Sequence, residues 1–320
     1  MTPARVTVTG ATGLIGPGVV SALIDRGDEV TVLSRDPDRA RAKLDMDGAE
    51  AGTGSGTGTG VRALGWDPLS EPAPAQALAG RDAIVHLAGA PVAQRWSERA
   101  KRAIRDSRVL GTRNLVEGLR ELDVSSRPSV LVSSSAIGYY GPHGPEPIDE
   151  ESPAGADFLA EVCVAWESEA RAVGELGMRA VQVRTGVVLD PAGGALAKML
   201  PPFRLGIGGP VAGGGQYVAW IHREDLIGMI IAALADERWS GPINATAPEP
   251  VSNRELSHAL GRALHRPALL PVPGLALRVL YGEMAEIVTT GVRAVPAKAL
   301  VLGYRFAHPQ LDEALQAALS

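Results

Sequence analysis

Three hydroxyls and, four residues on, two phenols lie together in Ser133-Ser134-Ser135-Ala136-Ile137-Gly138-Tyr139-Tyr140-Gly141, directly after the apolar run Val130-Leu131-Val132. A serine at the carboxyl end of a buried strand can hydrogen-bond a carbonyl or alcohol oxygen. A neighbouring phenol can then exchange that oxygen's proton while a hydride moves. Ser135 is expected to position the reacting oxygen, with Tyr140 or Tyr139 as proton donor. The competing reading has residues 133–135 satisfying backbone groups in a turn.

Hydride chemistry needs a carrier, and Val6-Thr7-Val8-Thr9-Gly10-Ala11-Thr12-Gly13-Leu14-Ile15-Gly16 has the form of its binding turn. An apolar strand runs into Gly-x-x-Gly-x-x-Gly and then a helix. Glycines let the backbone approach a pyrophosphate, and the helix N-terminus presents free amides and the positive end of its dipole. Gly10, Thr12, Gly13, Leu14, Ile15 and Gly16 are therefore the expected cradle. A helical stretch and a second strand at 29–33 follow, which is the context the motif requires. At the end of that strand, Ser34-Arg35 stands where a fold that prefers NAD places a carboxylate against the ribose 2′-hydroxyl. The expected cofactor is NADP(H), with Arg35, helped by Ser34 and Arg39, on the 2′-phosphate. Asp36 opposes that assignment, and a solvated Arg35 is the alternative. Leu87, which ends a third strand, and the small Ala88 and Gly89 after it are expected on the sugar and nicotinamide side with Ser133; the alternative is a simple strand-ending turn.

Other charged groups point to a ligand beyond the cofactor. Arg184 follows a strand, and His222 and Arg223 follow the glycine-rich stretch 206–215; these three are candidate substrate contacts. Asp225 reads as an ordinary acid at a helix N-terminus. Lys101, Arg105 and Arg108 fall near one helical face, a solvated one unless a member meets an anion. Cys163 is the sole cysteine, which excludes an internal disulfide and a cysteine-rich metal site. It reads as a small packed residue rather than a reactive thiol. No metal site is expected.

These residues must be positioned by alternating elements. Strand signals at 5–9, 29–33, 83–87, 129–133, 179–183 and near 242–245, with helical patterns between most of them, predict an α/β, Rossmann-like doubly wound parallel sheet. The expected division is a dinucleotide-binding domain at 1–189 and a smaller, partly helical substrate or cap region at 190–320, with 220–247 returning to the sheet. Helical periodicity marks 252–266, 274–288 and 309–319. The Gly/Thr stretch at 52–60 reads as a flexible insertion. With 320 residues, 45% of them hydrophobic, the chain can bury a full core. A net charge of −5 argues against nucleic acid as a partner. No apolar run is long enough to span a bilayer, and no leader precedes the first strand, so a cytoplasmic protein without membrane contacts is expected. A small-molecule partner is expected, and a homodimer is possible.

Taken together, residues 9–16, Trp66-Asp67-Pro68, 86–91, Ser107-Arg108-Val109-Leu110-Gly111-Thr112, 133–141, 158–167, 184–189, 201–215 and 220–226 resemble an extended short-chain dehydrogenase/reductase. More narrowly, they resemble its nucleoside-diphosphate-sugar epimerase-like subfamily. The likeness covers nearly the whole chain; Val295-Pro296 and residues 302–306 resemble the subfamily's small terminal domain. It implies Asp67 at the adenine end and Ser135 as the family's catalytic serine. The family pairs that serine with a tyrosine and a lysine four residues later, whose charge lowers the phenol's pKa and which binds the nicotinamide ribose. Here there is no Tyr-x-x-x-Lys; counting back from Glu167, the two positions fall on Leu159 and Cys163. Two functions are therefore expected in competition: an NADPH-dependent oxidoreductase or epimerase acting on a small polar carbonyl or alcohol, and a non-catalytic NADP(H)-binding sensor or scaffold.

Overall fold

The computed structural model describes residues 3–44 and 61–320, so the 52–60 stretch lies outside the described residues. The main sheet consists of β1 (Arg5–Thr9), β2 (Glu29–Ser34), β3 (Val61–Gly65), β4 (Ala83–His86), β5 (Val130–Ala136), β6 (Arg179–Thr185) and β7 (Gly241–Ala245). All seven run parallel, in the order β7-β6-β5-β4-β1-β2-β3. The chain builds outward from β1 through β2 to β3, then returns to β1's other side with β4. That reversal leaves a crevice at the carboxyl ends of β1 and β4, where a doubly wound sheet takes its ligand.

Alternation along each strand separates two faces. Val6, Val8, Val30, Val32, Val85, Val130, Val132, Val181 and Val183 face one side. There they pack on helix α1 (Gly16–Asp25), through Val19, Val20 and Leu23, and on Leu226, Met229 and Ile230 of a later helix, Arg223–Ala235. Leu33, Ile84 and Leu131 face the other side, against Leu115, Val116 and Leu119 of the long helix α2 (Glu98–Arg120) and Ala170 of helix α3 (Phe158–Arg171). Toward the carboxyl edge this second face turns polar. Thr9, His86, Ser133 and Gln182 form one row across four strands, and Ser135, Arg184 and Asn244 stand side by side two residues further on. All seven are buried.

The structure departs from the sequence expectations at definite places. β3 carries no clear signal because it is a short edge strand with a single buried residue, Ala63. β5 and β6 run two or more residues past their expected ends, so Ser133, Ser134, Ser135 and Arg184 belong to strands rather than to a turn or to the segment after a strand. Ser135 and Arg184 find their partner on a neighbouring helix, at Glu167 of α3. The periodic stretch 274–288 is broken by Gly282, at φ +62°, into Gly274–Tyr281 and two short turns of helix. Past β6, Leu189, Leu196, Leu200, Phe203 and Trp220 form a separate core with Leu256 and Leu260 of Asn253–Ala263 and with Leu315 of the terminal helix Leu311–Leu319.

Leu23 is fully enclosed between α1 and the sheet. Leu23→Ala is expected to lower the unfolding free energy by about 2–5 kcal/mol in urea titration, with the denaturant slope unchanged.

Candidate functional site

The crevice floor is a contact between two backbones. Gly10 sits at φ +69°, and a Cβ there would fall 2.6 Å from the Leu87 carbonyl carbon and 2.7 Å from the Ala88 nitrogen. A side chain at position 10 is excluded by both the conformation and the approach. The turn closes with Gly13 N–H donating to the Gly10 carbonyl at 2.9 Å. Helix α1 begins at Gly16 with Ile15 as its cap residue. No side chain caps it and its first turn holds no acid; Pro17 carries no N–H, so the Gly16 and Gly18 amides are the donors left without an acceptor among the described residues. Leu14 packs toward Gly193, and Thr12 is half-buried. This cradle fits the diphosphate of a dinucleotide.

At the β2 end, Asp36 is spent locally: it caps the helix Pro37–Lys43 by accepting the Arg39 amide at 2.9 Å. Its backbone also closes a turn on the Ser34 hydroxyl. The acid that counted against NADP(H) is thus a helix cap. Arg35 is exposed and has no acceptor among the described residues. Lys43, which nothing in the sequence singled out, reaches back to donate to the Thr12 carbonyl at 2.6 Å, bringing a second cation to the cradle. Asp67, exposed just past β3, accepts the Leu69 amide at 3.1 Å.

At the β4 end, the Leu87 amide donates to the Thr9 carbonyl and the Ala88 amide to the Thr9 hydroxyl. Gly89 is exposed. Beneath this loop His86 is sealed between Thr9 Oγ1 at 2.7 Å and Thr112 Oγ1 at 3.0 Å, and burial pulls its pKa down to about 4. It is a neutral core imidazole.

The hydroxyl-and-phenol group forms a single buried network. The Ser135 hydroxyl donates to Glu167 Oε1 at 2.7 Å. The same carboxylate takes a two-point contact from Arg184, Nε to Oε1 at 2.8 Å and Nη2 to Oε2 at 2.9 Å. Arg184 Nη1 donates to the Tyr140 hydroxyl at 2.9 Å and to the Glu150 carbonyl, and the Tyr140 hydroxyl donates to Asn244 Oδ1 at 2.7 Å. Burial opposes the Arg184 charge, but the Glu167 pairing outweighs it and raises the pKa. Tyr140 is fully enclosed and burial pushes its phenol up to about 12. Arg184 and Tyr140 therefore lie inside the protein, their polar groups already partnered. Tyr139 is half-buried, its ring stacked 3.5 Å from the Arg184 guanidinium carbon. Glu167 has one sign in the sequence, as an acid on the stripe Val162, Cys163, Trp166, Ala170 that α3 buries. Leu159 lies against Gly138, and Cys163 is buried with its thiol pushed up to about 12, mainly by burial. Ser133 is buried, its hydroxyl turned to the Ser134 carbonyl.

His222 and Arg223 lie apart from this network. His222 caps the helix Arg223–Ala235 through Nδ1, and its ring lies 3.9 Å from that of His308. Burial first and His308 second lower its pKa. Arg223 reaches Asp190 at 3.3 Å and stays half-exposed. Asp225 does not cap its own helix; it accepts the Ala307 and His308 amides and so fastens the C-terminal segment. His222, Glu224 and His308 place possible metal-ligand atoms within 4.8 Å of one another. However, His222 Nδ1 already accepts a helix amide, and the positive end of the helix dipole opposes a cation there. Among the described residues no helix is long and apolar enough to cross a membrane.

A doubly wound sheet with this cradle defines a dinucleotide-binding class. Residues 6–244 match the NAD dependent epimerase/dehydratase family, to which the chain belongs, and residues 272–318 match a domain of unknown function (DUF1731). Over 314 residues the chain is 39% identical to the Arabidopsis thaliana "Epimerase family protein SDR39U1 homolog, chloroplastic", covering 98% of this chain and 86% of that protein. The crystal structure of human epimerase family protein SDR39U1 (isoform 2) with NADPH superposes with a TM-score of 0.83 at 33% identity, over 99% of both chains. A Bacillus cereus UDP-glucuronic acid 4-epimerase in complex with UDP-glucuronic acid and NAD is similar at TM-score 0.75, covering 98% of this chain and 97% of that one; at 16% identity it shows the fold alone.

Because His86 is held neutral, its folded pKa lies below the unfolded value of about 6.5. Its contribution is intact above pH 6.5 and is lost as the pH falls toward 4, by about 3 kcal/mol in all. Unfolding free energies measured across that window should fall more steeply for the wild type than for His86→Gln.

Proposed function

We propose that the chain binds NADPH and acts as an oxidoreductase or epimerase on a small polar carbonyl or alcohol. The observation that carries this reading is the Gly10 contact with Leu87 and Ala88 beneath an uncapped helix terminus. The NADPH in the crystal structure of the human relative supports it. On this reading the backbone from Gly10 through Gly16, including Thr12, Gly13, Leu14 and Ile15, holds the pyrophosphate. Ser34, Arg35 and Lys43 meet the 2′-phosphate and Asp67 the adenosine end, while Leu87, Ala88, Gly89 and Ser133 line the nicotinamide side. The bound cofactor supplies hydride transfer at its nicotinamide ring.

The chain's own groups then divide the remaining work. The Ser135 hydroxyl donates its hydrogen bond to Glu167, so its oxygen lone pairs are free to accept a hydrogen bond from a substrate alcohol. Tyr139 is the phenol left to move a proton, because Tyr140 is enclosed and serves to hold Arg184. Arg184 acts from behind by fixing Glu167. His222 and Arg223 are the proposed contacts to the substrate's polar groups. A second reading, a sensor or scaffold that holds NADP(H) without turnover, is favoured by Leu159 and Cys163 at the positions where the family carries its tyrosine and lysine.

Fluorescence titration should give tighter binding of NADPH than of NADH. Arg35→Ala should weaken NADPH by about 10-fold and leave NADH unchanged; equal affinity for the two cofactors removes the 2′-phosphate assignment. Across a panel of small carbonyl compounds, NADPH oxidation should appear with at least one member. That turnover should drop by about 100-fold in Ser135→Ala and Tyr139→Phe while NADPH binding persists. Binding with no oxidation by any member favours the sensor.

A further inference from the structure

We propose that Arg108 supplies the positive charge on the nicotinamide side of the cleft, donating through Nη2 and Nε to the nicotinamide-half ribose of the bound cofactor. The inference rests on the NADPH reading above, and it assigns a cation where the family's lysine position holds Cys163.

Arg108 comes from α2, yet its guanidinium lies flat against the loop that ends β4. Its Cζ, Nη2 and Nη1 are 3.3, 3.4 and 3.5 Å from the point a Cβ on Gly89 would occupy. That loop is the one Gly10 touches one residue earlier, so the guanidinium lies beside the cradle's floor. Nη1 donates to the Ala90 carbonyl at 3.0 Å and to the Ile104 carbonyl at 3.1 Å, and the Trp166 ring lies 5.2 Å from Cζ. The group is thus held from three elements in one orientation.

Its charge, however, is not met. No carboxylate among the described residues pairs with Arg108, whereas Lys101 on the same helix is tied to Glu283. Nη2 and Nε have no acceptor among the described residues, and neither atom is sealed from solvent. Cys163, adjacent on α3, is held as a neutral thiol and cannot neutralise the charge. A fixed, partly desolvated guanidinium with two unspent donors beside a dinucleotide cradle is suited to an oxygen-bearing ligand. Gly89 has no side chain to stand between the two. Burial lowers the Arg108 pKa, as expected for a cation awaiting such a partner.

The test compares two ligands on the purified full chain by titration calorimetry. NADPH carries the nicotinamide half; adenosine 2′,5′-bisphosphate lacks it. Arg108→Gln keeps a side chain able to reach the Ala90 carbonyl, and it should weaken NADPH by about 10-fold or more while leaving the bisphosphate within twofold. Arg108→Lys should recover most of the lost NADPH affinity. Parallel loss of both ligands in Arg108→Gln would show that the residue merely shapes the loop, and unchanged NADPH affinity would show no contact; either result overturns the inference alone. So does a lysine variant as weak as the glutamine one. If the wild-type chain takes up neither ligand, the NADPH reading itself falls.

Discussion

A guanidinium enclosed in protein has five N–H donors and no water to receive them, so its surroundings are strictly constrained. Arg184 meets this demand at four of its five donors, with Glu167, Tyr140 and the Glu150 carbonyl. Each partner comes from a different part of the chain, and each is itself fixed. Glu167 also receives Ser135, Tyr140 also bonds Asn244, and the Glu150 carboxylate accepts the Asn244 amide at 2.9 Å. The register of β5, β6 and β7 sets Ser135, Arg184 and Asn244 abreast, so one buried ion pair ties three strands, α3 and the 137–150 connection together. Such a pair gains little over well-packed apolar residues, but losing one partner strands the other's charge. The carboxyl edge is therefore held at one height, and with it the ring of Tyr139.

Arg184 and Arg108 show how the same residue type separates structure from ligand chemistry. The first has its charge met by a carboxylate and four of its five donors bonded; the second has no carboxylate partner among the described residues and bonds only through Nη1. Both lie against α3, one beside Glu167 and one beside Trp166. The His86 position extends the logic. An imidazole between two threonine hydroxyls, with no acid paired to it among the described residues, stays uncharged and adds rigidity under the loop 87–90 without competing for a ligand's oxygens.

Much of the fold was legible because the central strands alternate and the glycine turn has few other uses. The turn from Gly10 to Gly16 is a contiguous segment, which a local pattern can report, although the approach of Leu87 and Ala88 to Gly10 is tertiary. The polar network was less legible. Ser135, Tyr140 and Arg184 were visible as chemistry-bearing residues, but their burial depends on Glu167 and Asn244, 32 and 104 positions away from Ser135 and Tyr140 respectively. No periodicity reveals that kind of pairing. Lys43 likewise meets Thr12 only through tertiary folding, at a separation of 31 residues. Arg108 was visible only as one of several cations on a helix; what sets it apart is the lack of a carboxylate, which a sequence cannot display.

The loss of tyrosine and lysine from α3 also has a steric side. Leu159 lies against Gly138, and Cys163 is a small buried residue at the position that the family resemblance assigns to the lysine. Arg108 of α2 reaches α3 at the next turn, its Cζ 5.2 Å from the Trp166 ring. On the proposed reading the working phenol, Tyr139, comes from the 137–140 turn instead of from α3, its ring stacked on the Arg184 guanidinium. On the proposed reading the two functions that one helical turn carries elsewhere in the family are divided here between two separate elements. Their spacing is then set by how α2, α3 and β5 pack, and no longer by the pitch of a single helix.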